Sequence, residues 1–361
     1  MFLRNYWYVA AWDHEIGAQP FPRTILNEAI VFYRKEDGTP VALEDRCCHR
    51  QIPLSRGTRV GDNIRCWYHG LQFDETGKCI RVPGQPSVPP NARVRSYPVV
   101  ERHHWIWIWM GDPAQADPAK IPDYTWQDHP DWGCKGTYYY VKCDYRLIID
   151  NLLDLTHLAF VHESTLGNAA VVEAADVTAK GGHEDVTVVR WMPDTPPPPT
   201  YAKMMKGYTG NIDRWQIIHW APPGNIRLFT GAQPSAASQG RTLVKFDQLM
   251  TGTPPGGIGM RNLDVMTPET ETTTHYFWAQ AHDFEPHNPQ VTDAFFKQID
   301  IAFRQDWELF EVQQRAQERC PGAPSINIAV DKGPLLARRL LAKLAEQEKN
   351  APRERAPLAV D

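Results

Sequence analysis

The chain has 361 residues, a length that predicts two or three domains and a core large enough to fold without disulfide bonds. Hydrophobic residues make up 42% and charged residues 22% of the sequence, which excludes intrinsic disorder and fibrous architectures. The formal net charge of −5 gives no electrostatic basis for binding nucleic acid or an anionic membrane. The 13 Trp, 31 Pro and 24 Gly favour strands and shaped loops over helical bundles.

The cellular location is predicted from the N-terminus and from cysteine usage. Residues 1–7 lack the basic start and apolar run of a signal peptide, and no stretch approaches the roughly 20 apolar residues that span a bilayer. We therefore expect a cytoplasmic protein with no membrane and no nucleic-acid partner, in which the seven Cys form no disulfide bonds. Four of these Cys lie between residues 47 and 79, and this clustering needs an explanation.

Residues 1 to about 112 are predicted to form short strands separated by turns. The segments 29–33 and 41–43 flank Glu36-Asp37-Gly38, which is a hairpin signal. Further strands are expected at 64–68, 71–73, 79–82, 93–99 and 105–110. The polar, Pro-containing stretch 112–118 predicts a domain boundary, so we place a first domain at 1–115 and a second at 116–361.

Two loops of the first domain each pair a cysteine with a histidine. Cys47 and His49 form a C-x-H pair, and Cys66 and His69 form a C-x2-H pair. Cys48 stands directly beside His49, so the spacing selects Cys47 instead. A [2Fe–2S] centre with two Cys on one iron and two His on the other requires this set of side chains. Zinc is the alternative, although common Cys2His2 zinc sites place both Cys before both His. Four unrelated residues are the second alternative.

A helix is predicted at 148–161, early in the second domain. On an ideal helix Asp150, Asp154 and His157 lie within about 60° of one another, in an otherwise apolar segment. Buried charges of this kind need partners or a metal. His162 is about 140° from His157 on a regular helix, so both bind one ion only if the helix bends, ends or contains a π-bulge there. A pair of hydrogen-bonded core histidines is the alternative.

The rest of the second domain is predicted to contain strands and two C-terminal helices. The strands are expected at 137–147, 185–192, 213–220, 225–231, 241–250, 260–266 and 272–281, and the helices at 292–319 and 334–349. Two histidines, His219 and His275, lie in aromatic-rich strands and are candidates for binding a substrate. Ordinary core or surface positions are the alternative for both, because strand alternation alone does not identify the inward face.

The helix predicted at 292–319 carries one carboxylate on its apolar face. The apolar stripe consists of Phe295, Ile299, Ala302, Phe303 and Phe310. Asp306 falls on this stripe, seven residues after Ile299, whereas Glu308 and Glu311 diverge from it by more than about 90°. Asp306 is therefore the carboxylate that we expect to face inward.

The two cysteine–histidine loops resemble the Rieske loops of aromatic-ring oxygenases. The resemblance covers residues 47–57 and 66–73, except that Cys48 stands where that family usually has Pro. The pattern D-x3-D-x2-H-x4-H at 150–162 resembles the mononuclear iron motif of the same family. Runs at 4–11, 144–147, 151–157 and 267–270 resemble the vanillate O-demethylase and dicamba-type demethylase group, over nearly the whole chain.

This resemblance implies a fold and two metal centres. The implied fold is α+β, with an N-terminal β-rich Rieske [2Fe–2S] domain followed by a catalytic domain of antiparallel sheet covered by helices. The implied ligands are Cys47, His49, Cys66 and His69 for the cluster, and His157, His162 and Asp306 for a mononuclear Fe(II).

Further roles are implied for residues around the second centre. Asp154 would hydrogen-bond His157 and link, within a homotrimer, to a cluster histidine of a neighbouring subunit, here His69. Asn151 would stand near the iron without firm ligation, and Asp150 would be a structural partner.

The implied function is that of a terminal monooxygenase in aromatic catabolism. It would use O2 and electrons from a flavin- and ferredoxin-type reductase to hydroxylate the O-methyl carbon of a methoxylated aromatic acid such as vanillate, releasing formaldehyde. The reductase must be a separate protein, because no G-x-G-x-x-G follows a strand here. No arginine is identified as a carboxylate clamp, so the acidic substrate follows from the resemblance alone.

Two other classes of function remain open. The same architecture could hydroxylate a ring or cleave a diaryl ether. A non-catalytic Rieske electron carrier, or a zinc-stabilised binding module, is the remaining class, but it does not explain the second histidine pair and Asp306.

Overall fold

The computed structural model of the chain describes residues 2–206, 208–236, 253 and 256–350. The strand predicted at 241–250 lies outside these residues. Within the described ranges, no helix combines the length and the apolar composition needed to cross a membrane.

Short antiparallel strands form three small sheets in the N-terminal part. The first contains β1 (Trp7–Trp12), β10 (Val99–Arg102) and β11 (Trp105–Trp109); the second β2 (Phe21–Ile25), β3 (Glu28–Arg34), β4 (Pro40–Glu44) and β9 (Ser96–Tyr97); the third β5 (Thr58–Val60), β6 (Asn63–Arg65), β7 (Gln72–Phe73) and β8 (Cys79–Arg81). The predicted hairpin is confirmed, because β3 pairs with β4 and Gly38 adopts the left-handed φ of 86° in the turn.

One seven-stranded antiparallel sheet forms the C-terminal part. Its order is β12-β18-β17-β16-β15-β14-β13. The strands are β12 (Gly133–Val141), β13 (Asp176–Gly181), β14 (Val186–Thr195), β15 (Ile212–Ala221), β16 (Asn225–Pro234), β17 (Ile258–Thr270) and β18 (Thr273–His282). The edge strand β13 escapes sequence prediction because it is largely exposed and shows no alternating pattern. The predicted α+β architecture is confirmed.

Helices cover one face of this sheet. They are α1 (Tyr145–Leu153), α2 (Leu158–Val161), α3 (Ala170–Glu173), α4 (Pro199–Met204), α5 (Pro289–Arg319) and α6 (Lys332–Asn350). The side chain of Asn288 caps α5 by accepting a hydrogen bond from the N–H of Gln290, so this helix begins three residues before its predicted start. Its buried face contains the predicted apolar stripe and Asp306, which confirms the inward orientation of that carboxylate.

The strand before α1 ends earlier than predicted. The sequence predicts extended backbone at 137–147, but β12 stops at Val141 and α1 begins at Tyr145. The cause is Asp144, whose side chain accepts a hydrogen bond from the N–H of Arg146 and so caps the helix.

The two faces of the large sheet are buried against different parts of the protein. In β14 to β18 the even-numbered residues share one face, because facing pairs such as Gln216 and Thr230 keep their parity from strand to strand. The even face packs against the helices. On the odd face Leu263 and Phe277 join the cluster of buried Trp from β1 and β11. Both faces are therefore largely apolar, but only the even one faces the helices that carry the candidate site.

Candidate metal centres

The segment that carries the two predicted iron-site histidines is not one helix. α1 ends one residue before Asp154, whose backbone is extended, with φ −126° and ψ 99°. The Asp154 carboxylate then accepts hydrogen bonds from the N–H and the hydroxyl of Thr156 and caps a 3-10 turn at Leu155–His157. The continuous helix predicted at 148–161 is therefore wrong.

The interruption of the helix at Asp154 separates three side chains that the sequence places on one helical face. Asp150 forms an ion pair with Arg338 of α6, which fits its predicted role as a structural partner. The carboxylate of Asp154 stays with the turn that it caps, while His157 faces α5. The grouping predicted from an ideal helix is wrong because Asp154 acts as a cap.

A group of three potential metal ligands forms where this segment meets α5. α2 ends at Val161 and His162 follows as its C-terminal cap, so the helix ends where the sequence required a distortion. One donor atom each from His157, His162 and Asp306 lies within 4.8 Å of the others. The His162 Nε2 is 3.1 Å from Asp306 Oδ2, and the His157 Nε2 is 3.6 Å from Asp306 Oδ1.

Hydrogen bonds orient both imidazoles. The Nδ1 of His157 is 2.7 Å from the backbone carbonyl oxygen of Asp154, and the Nδ1 of His162 is 2.8 Å from the side-chain oxygen of Gln305. With both Nδ1 atoms donating, each Nε2 is free to bind a metal. The hydrogen bond expected between Asp154 and His157 is present, but its acceptor is the backbone carbonyl of Asp154. The carboxylate of Asp154 instead accepts a hydrogen bond from Thr156.

The composition and charge of this group fit a divalent iron ion. Two imidazoles and one carboxylate form the 2-His-1-carboxylate set that leaves further positions on the metal open. Burial lowers the pKa of His157 despite the charge of Asp306. For His162 burial also acts to lower the pKa, but the hydrogen bond and charge of Asp306, together with Gln305, outweigh burial and raise it. A buried carboxylate between two histidines needs a cation, which a metal supplies.

The two cysteine–histidine loops also meet in the structure. Each loop is a tight turn, in which the N–H of Gln51 donates to the carbonyl of Cys47 and the N–H of Gly70 donates to that of Cys66. Both cysteines are buried. Burial is the main cause that raises the pKa of the Cys47 thiol to about 11, and the neighbouring Cys66 adds to it. A cluster would supply the positive charge that such thiolates need.

The histidines of these loops lie at the protein surface. The rings of His49 and His69 are exposed, and their centroids are 4.6 Å apart. Trp67 and Tyr68 beside them are also largely exposed. The half-buried Cys48 packs against the same core as the two buried cysteines. This arrangement suits a redox centre that exchanges electrons at the surface.

A cavity adjoins the group of His157, His162 and Asp306. It has a volume of about 40 Å³ and lies between the helices and the even face of the sheet. The helix side is apolar and is formed by Leu152, Leu155, Leu158, Leu166, Ile299 and Phe303. The sheet side adds the polar side chains of Arg214, Gln216, Thr230 and Asn262. The lining therefore combines apolar and polar groups, as in sites that bind an apolar ligand with a polar end.

The two histidines predicted to bind substrate do not line this cavity. Both have odd numbers and lie on the opposite face of the sheet. His275 contacts the hydroxyl of Tyr138 and the carbonyl of Thr24, and burial lowers its pKa to about 4. His219 contacts Asp185 and Arg227. The expectation is corrected: both histidines have protein partners on the wrong face for the cavity.

The polar residues that do line the cavity were missed by sequence reasoning. Arg214 and Gln216 alternate with Trp215 and Ile217 along β15, and both sets are buried because both faces of the sheet are covered. The available signal was a pair of polar residues at alternate positions, Arg214 and Gln216, next to the apolar Trp215 and Ile217.

Two further residues predicted at the site lie beside it. The Nδ2 of Asn151 is 3.4 Å from Asp306 Oδ1, and its Oδ1 has no hydrogen-bond partner among the described residues. The side chain of Asp154 is 22% exposed, and its Oδ1 lies 3.9 Å from Nη1 of the buried Arg190. Asp154 is thus held by Arg190 and Thr156 at the edge of the site.

A buried carboxyl on β17 makes stability depend on pH. Burial raises the pKa of Asp264 to about 7, although Tyr276 donates a hydrogen bond that partly offsets this. Below about pH 4 both folded and unfolded chains are protonated; between about pH 4 and 7 only the folded chain keeps the proton. The free energy of unfolding therefore falls as pH rises through this window, by up to about 4 kcal/mol.

Asp264→Asn is expected to remove this dependence, since the amide does not ionise. Its denaturant midpoint, measured at pH 5, 6 and 7, should rise relative to that of the unmodified protein as pH increases. Parallel midpoint curves would show that Asp264 does not titrate in this window.

Both metal centres in one chain define a class of protein, the oxygenase component of a Rieske non-heme iron monooxygenase. The Rieske [2Fe-2S] domain family model matches residues 6–98, and that of the vanillate O-demethylase oxygenase C-terminal domain matches residues 141–347. The chain belongs to the vanillate O-demethylase oxygenase family. It has a Rieske [2Fe–2S] cluster and a non-heme iron site, and it works as one component of a multicomponent system.

Individual relatives agree with this assignment. The toluene-4-sulfonate monooxygenase iron-sulfur subunit TsaM1 of Comamonas testosteroni is 41% identical, over 96% of this chain and 98% of that protein. A vanillate O-demethylase oxygenase subunit of Pseudomonas sp. (strain HR199 / DSM 7063) is 36% identical, over 96% and 97%. A crystal structure of dicamba monooxygenase with non-heme iron and dicamba is 32% identical, with a TM-score of 0.78 over 96% and 98%.

Proposed function

We propose that this protein O-demethylates a methoxylated aromatic acid of the vanillate type and releases formaldehyde. The observation that carries the proposal is the cavity that adjoins His157, His162 and Asp306, apolar on its helix side and polar on its sheet side. In this proposal an aromatic ring would lie between these two sides, with its O-methyl group toward the open side of an iron site. The similarity to a vanillate O-demethylase subunit supports the same reaction.

The ligands of both centres are part of this proposal. Cys47, His49, Cys66 and His69 would hold the [2Fe–2S] cluster, and His157, His162 and Asp306 would hold Fe(II). When bound, the iron supplies the activation of O2 with electrons that pass through the cluster.

The chain's own residues bind and orient the substrate in this account. The leucines of α1 and α2 and the ring of Phe303 exclude water from one side of the cavity. Gln305 and the carbonyl of Asp154 hold the imidazoles in one tautomer. Asn151 is a positioning residue, since its Nδ2 holds Asp306.

The proposal includes an assembly. A separate flavin- and ferredoxin-type reductase would supply electrons, and three copies of the chain would form a homotrimer in the cytoplasm. Asp154 would bridge to His69 of a neighbouring subunit. The partial exposure of Asp154 and the exposure of His69 support this bridge. We also propose the division into domains at 1–115 and 116–361.

A second candidate activity is oxidation of the methyl group of an aromatic sulfonate. The 41% identity to TsaM1 favours it. Both activities use the same metal ligands and differ in the substrate carbon that is oxidised.

The experiment compares substrates on reconstituted protein supplied with NADH and a surrogate reductase. Vanillate should give protocatechuate and one formaldehyde per turnover, with O2 uptake coupled to product. Product from toluene-4-sulfonate, with no formaldehyde from vanillate, would contradict the first proposal and support the second candidate.

A further inference from the structure

One arginine on the cavity side of the sheet has no ion-pair partner among the residues that the structure describes. The side chain of Arg214 is buried to 2% exposure and lines the same cavity as His157, His162 and Asp306. Its Nε and Nη1 have no hydrogen-bond partner among the described residues. A buried guanidinium in this state is costly, because the lost water is not replaced.

The surroundings of Arg214 leave its hydrogen-bonding edge for a ligand. The ring of Tyr201 lies 4.5 Å from the guanidinium carbon and covers one face by a cation–π contact. The neighbouring Asp213 points to the other face of the sheet, where Asp194, Gln233 and Ala236 already donate to its carboxylate. That carboxylate therefore does not serve Arg214.

A second cationic side chain lies near Arg214. A second buried guanidinium, that of Arg190, is close enough for Arg214 to contribute to the lowered pKa of Arg190, whose main cause is burial. Asp154 lies 3.9 Å from Arg190, and no ion pair to Arg214 is found in the described part of the chain. Two neighbouring buried cations, of which Arg214 has no ion pair among the described residues, favour the binding of an anion.

Further polar groups stand beside Arg214 on the cavity side. Gln216 follows two residues later on the same strand face, about 7 Å along the strand, and pairs with Thr230 on β16. The Oε1 of Gln216 has no partner among the described residues. The opposite wall is apolar, so the cavity offers one charged end and one apolar side.

We infer that Arg214 binds the anionic group of an aromatic substrate and makes the enzyme select ionised aromatic acids over neutral aryl ethers. The inference rests on the proposed function and assigns the group that anchors its substrate. A guanidinium fork can donate two parallel hydrogen bonds to a carboxylate or to a sulfonate. Both groups are ionised at neutral pH, so the shared chemistry is a singly charged aryl oxyanion.

The test measures binding to the holoenzyme by calorimetry. The ligands are 4-methoxybenzoate, toluene-4-sulfonate and the neutral 4-methoxybenzamide. Arg214→Gln should weaken binding of the anions by about 100-fold while changing binding of the neutral amide less than about 3-fold. Arg214→Lys keeps the charge but loses the fork, so a loss of about 10-fold for the anions is expected.

The matched control is Arg227→Gln. Arg227 lies on β16 of the same sheet, but on the odd face, where it donates to His219. This variant should bind all three ligands as the unmodified protein does. Retained binding of the neutral 4-methoxybenzamide reports folding of the seven-stranded sheet in each variant, and Arg214→Lys keeps the test decisive if Arg214→Gln does not fold.

Several outcomes would overturn the inference. They are unchanged anion binding in both Arg214 variants, equal binding of 4-methoxybenzoate and 4-methoxybenzamide by the unmodified protein, or no anion binding at all. The relative affinity for 4-methoxybenzoate and toluene-4-sulfonate identifies the preferred oxyanion. Arg214-dependent binding of 4-methoxybenzoate, with no formaldehyde release from vanillate, would contradict the proposed function and leave the inference intact.

Discussion

Asp306→Ala is expected to remove the mononuclear iron, leave the Rieske cluster in place and lower product formation by more than about 1,000-fold, which corresponds to roughly 4 kcal/mol. The physical reason is the ligand count. Asp306, which lies on α5, contributes the only carboxylate of the three-donor group. Without it two imidazoles remain. The cluster loops belong to a separate sheet and do not depend on this residue.

Two spectroscopic measurements check this prediction. The EPR signal of ferrous iron treated with nitric oxide should be lost, while the visible spectrum of the cluster should not change. Asp293→Ala is the control, because Asp293 is an exposed carboxylate on the same helix that pairs with Lys135. Product formation by Asp306→Ala near the rate of the control would contradict the ligand assignment.

Asp154→Asn is expected to keep both metal centres and to slow electron transfer between them by at least about 100-fold, or roughly 3 kcal/mol. The asparagine oxygen can still accept from Thr156, and the carbonyl that orients His157 is unchanged. The variant removes the negative charge that we propose to face His69 of a neighbouring subunit, and that also lies 3.9 Å from Arg190. Stopped-flow reoxidation of the reduced cluster, with substrate and O2 present, measures this step.

Asp150→Asn is the matched control for this second prediction. It is the same substitution four residues away, and Asp150 pairs only with Arg338, with both side chains about one-third exposed. We expect unchanged reoxidation and a stability loss of no more than about 1 kcal/mol. Normal reoxidation in Asp154→Asn would refute the bridging role, and an equal loss in both variants would indicate a structural effect.

Sequence patterns predicted the features that depend on a single buried face. The stripe of α5 is buried on one side only, so its period identified Asp306 as inward-facing. The cysteine–histidine loops were found because the ligand spacing of a cluster is local in sequence. Strands β14 to β18 were found for a different reason, since each lies between clear turn signals.

Features that depend on tertiary context were not predictable in this way. The sequence places Asp154 inside a continuous helix. In the structure its side chain caps a new turn, and the helix ends before it. The sequence points to His275 and His219 as substrate-binding candidates, whereas Arg214 and Gln216 line the cavity. Both faces of the sheet are buried, one by helices and one by Trp-rich strands. Alternation then identifies two faces but not which one holds the cavity.

Iron and acid-labile sulfide per chain, measured on anaerobically reconstituted protein, test the central claim that one chain holds both centres. We expect three irons and two sulfides per chain. Two irons with two sulfides would contradict the mononuclear site at His157, His162 and Asp306. Zinc without sulfide would contradict the cluster itself.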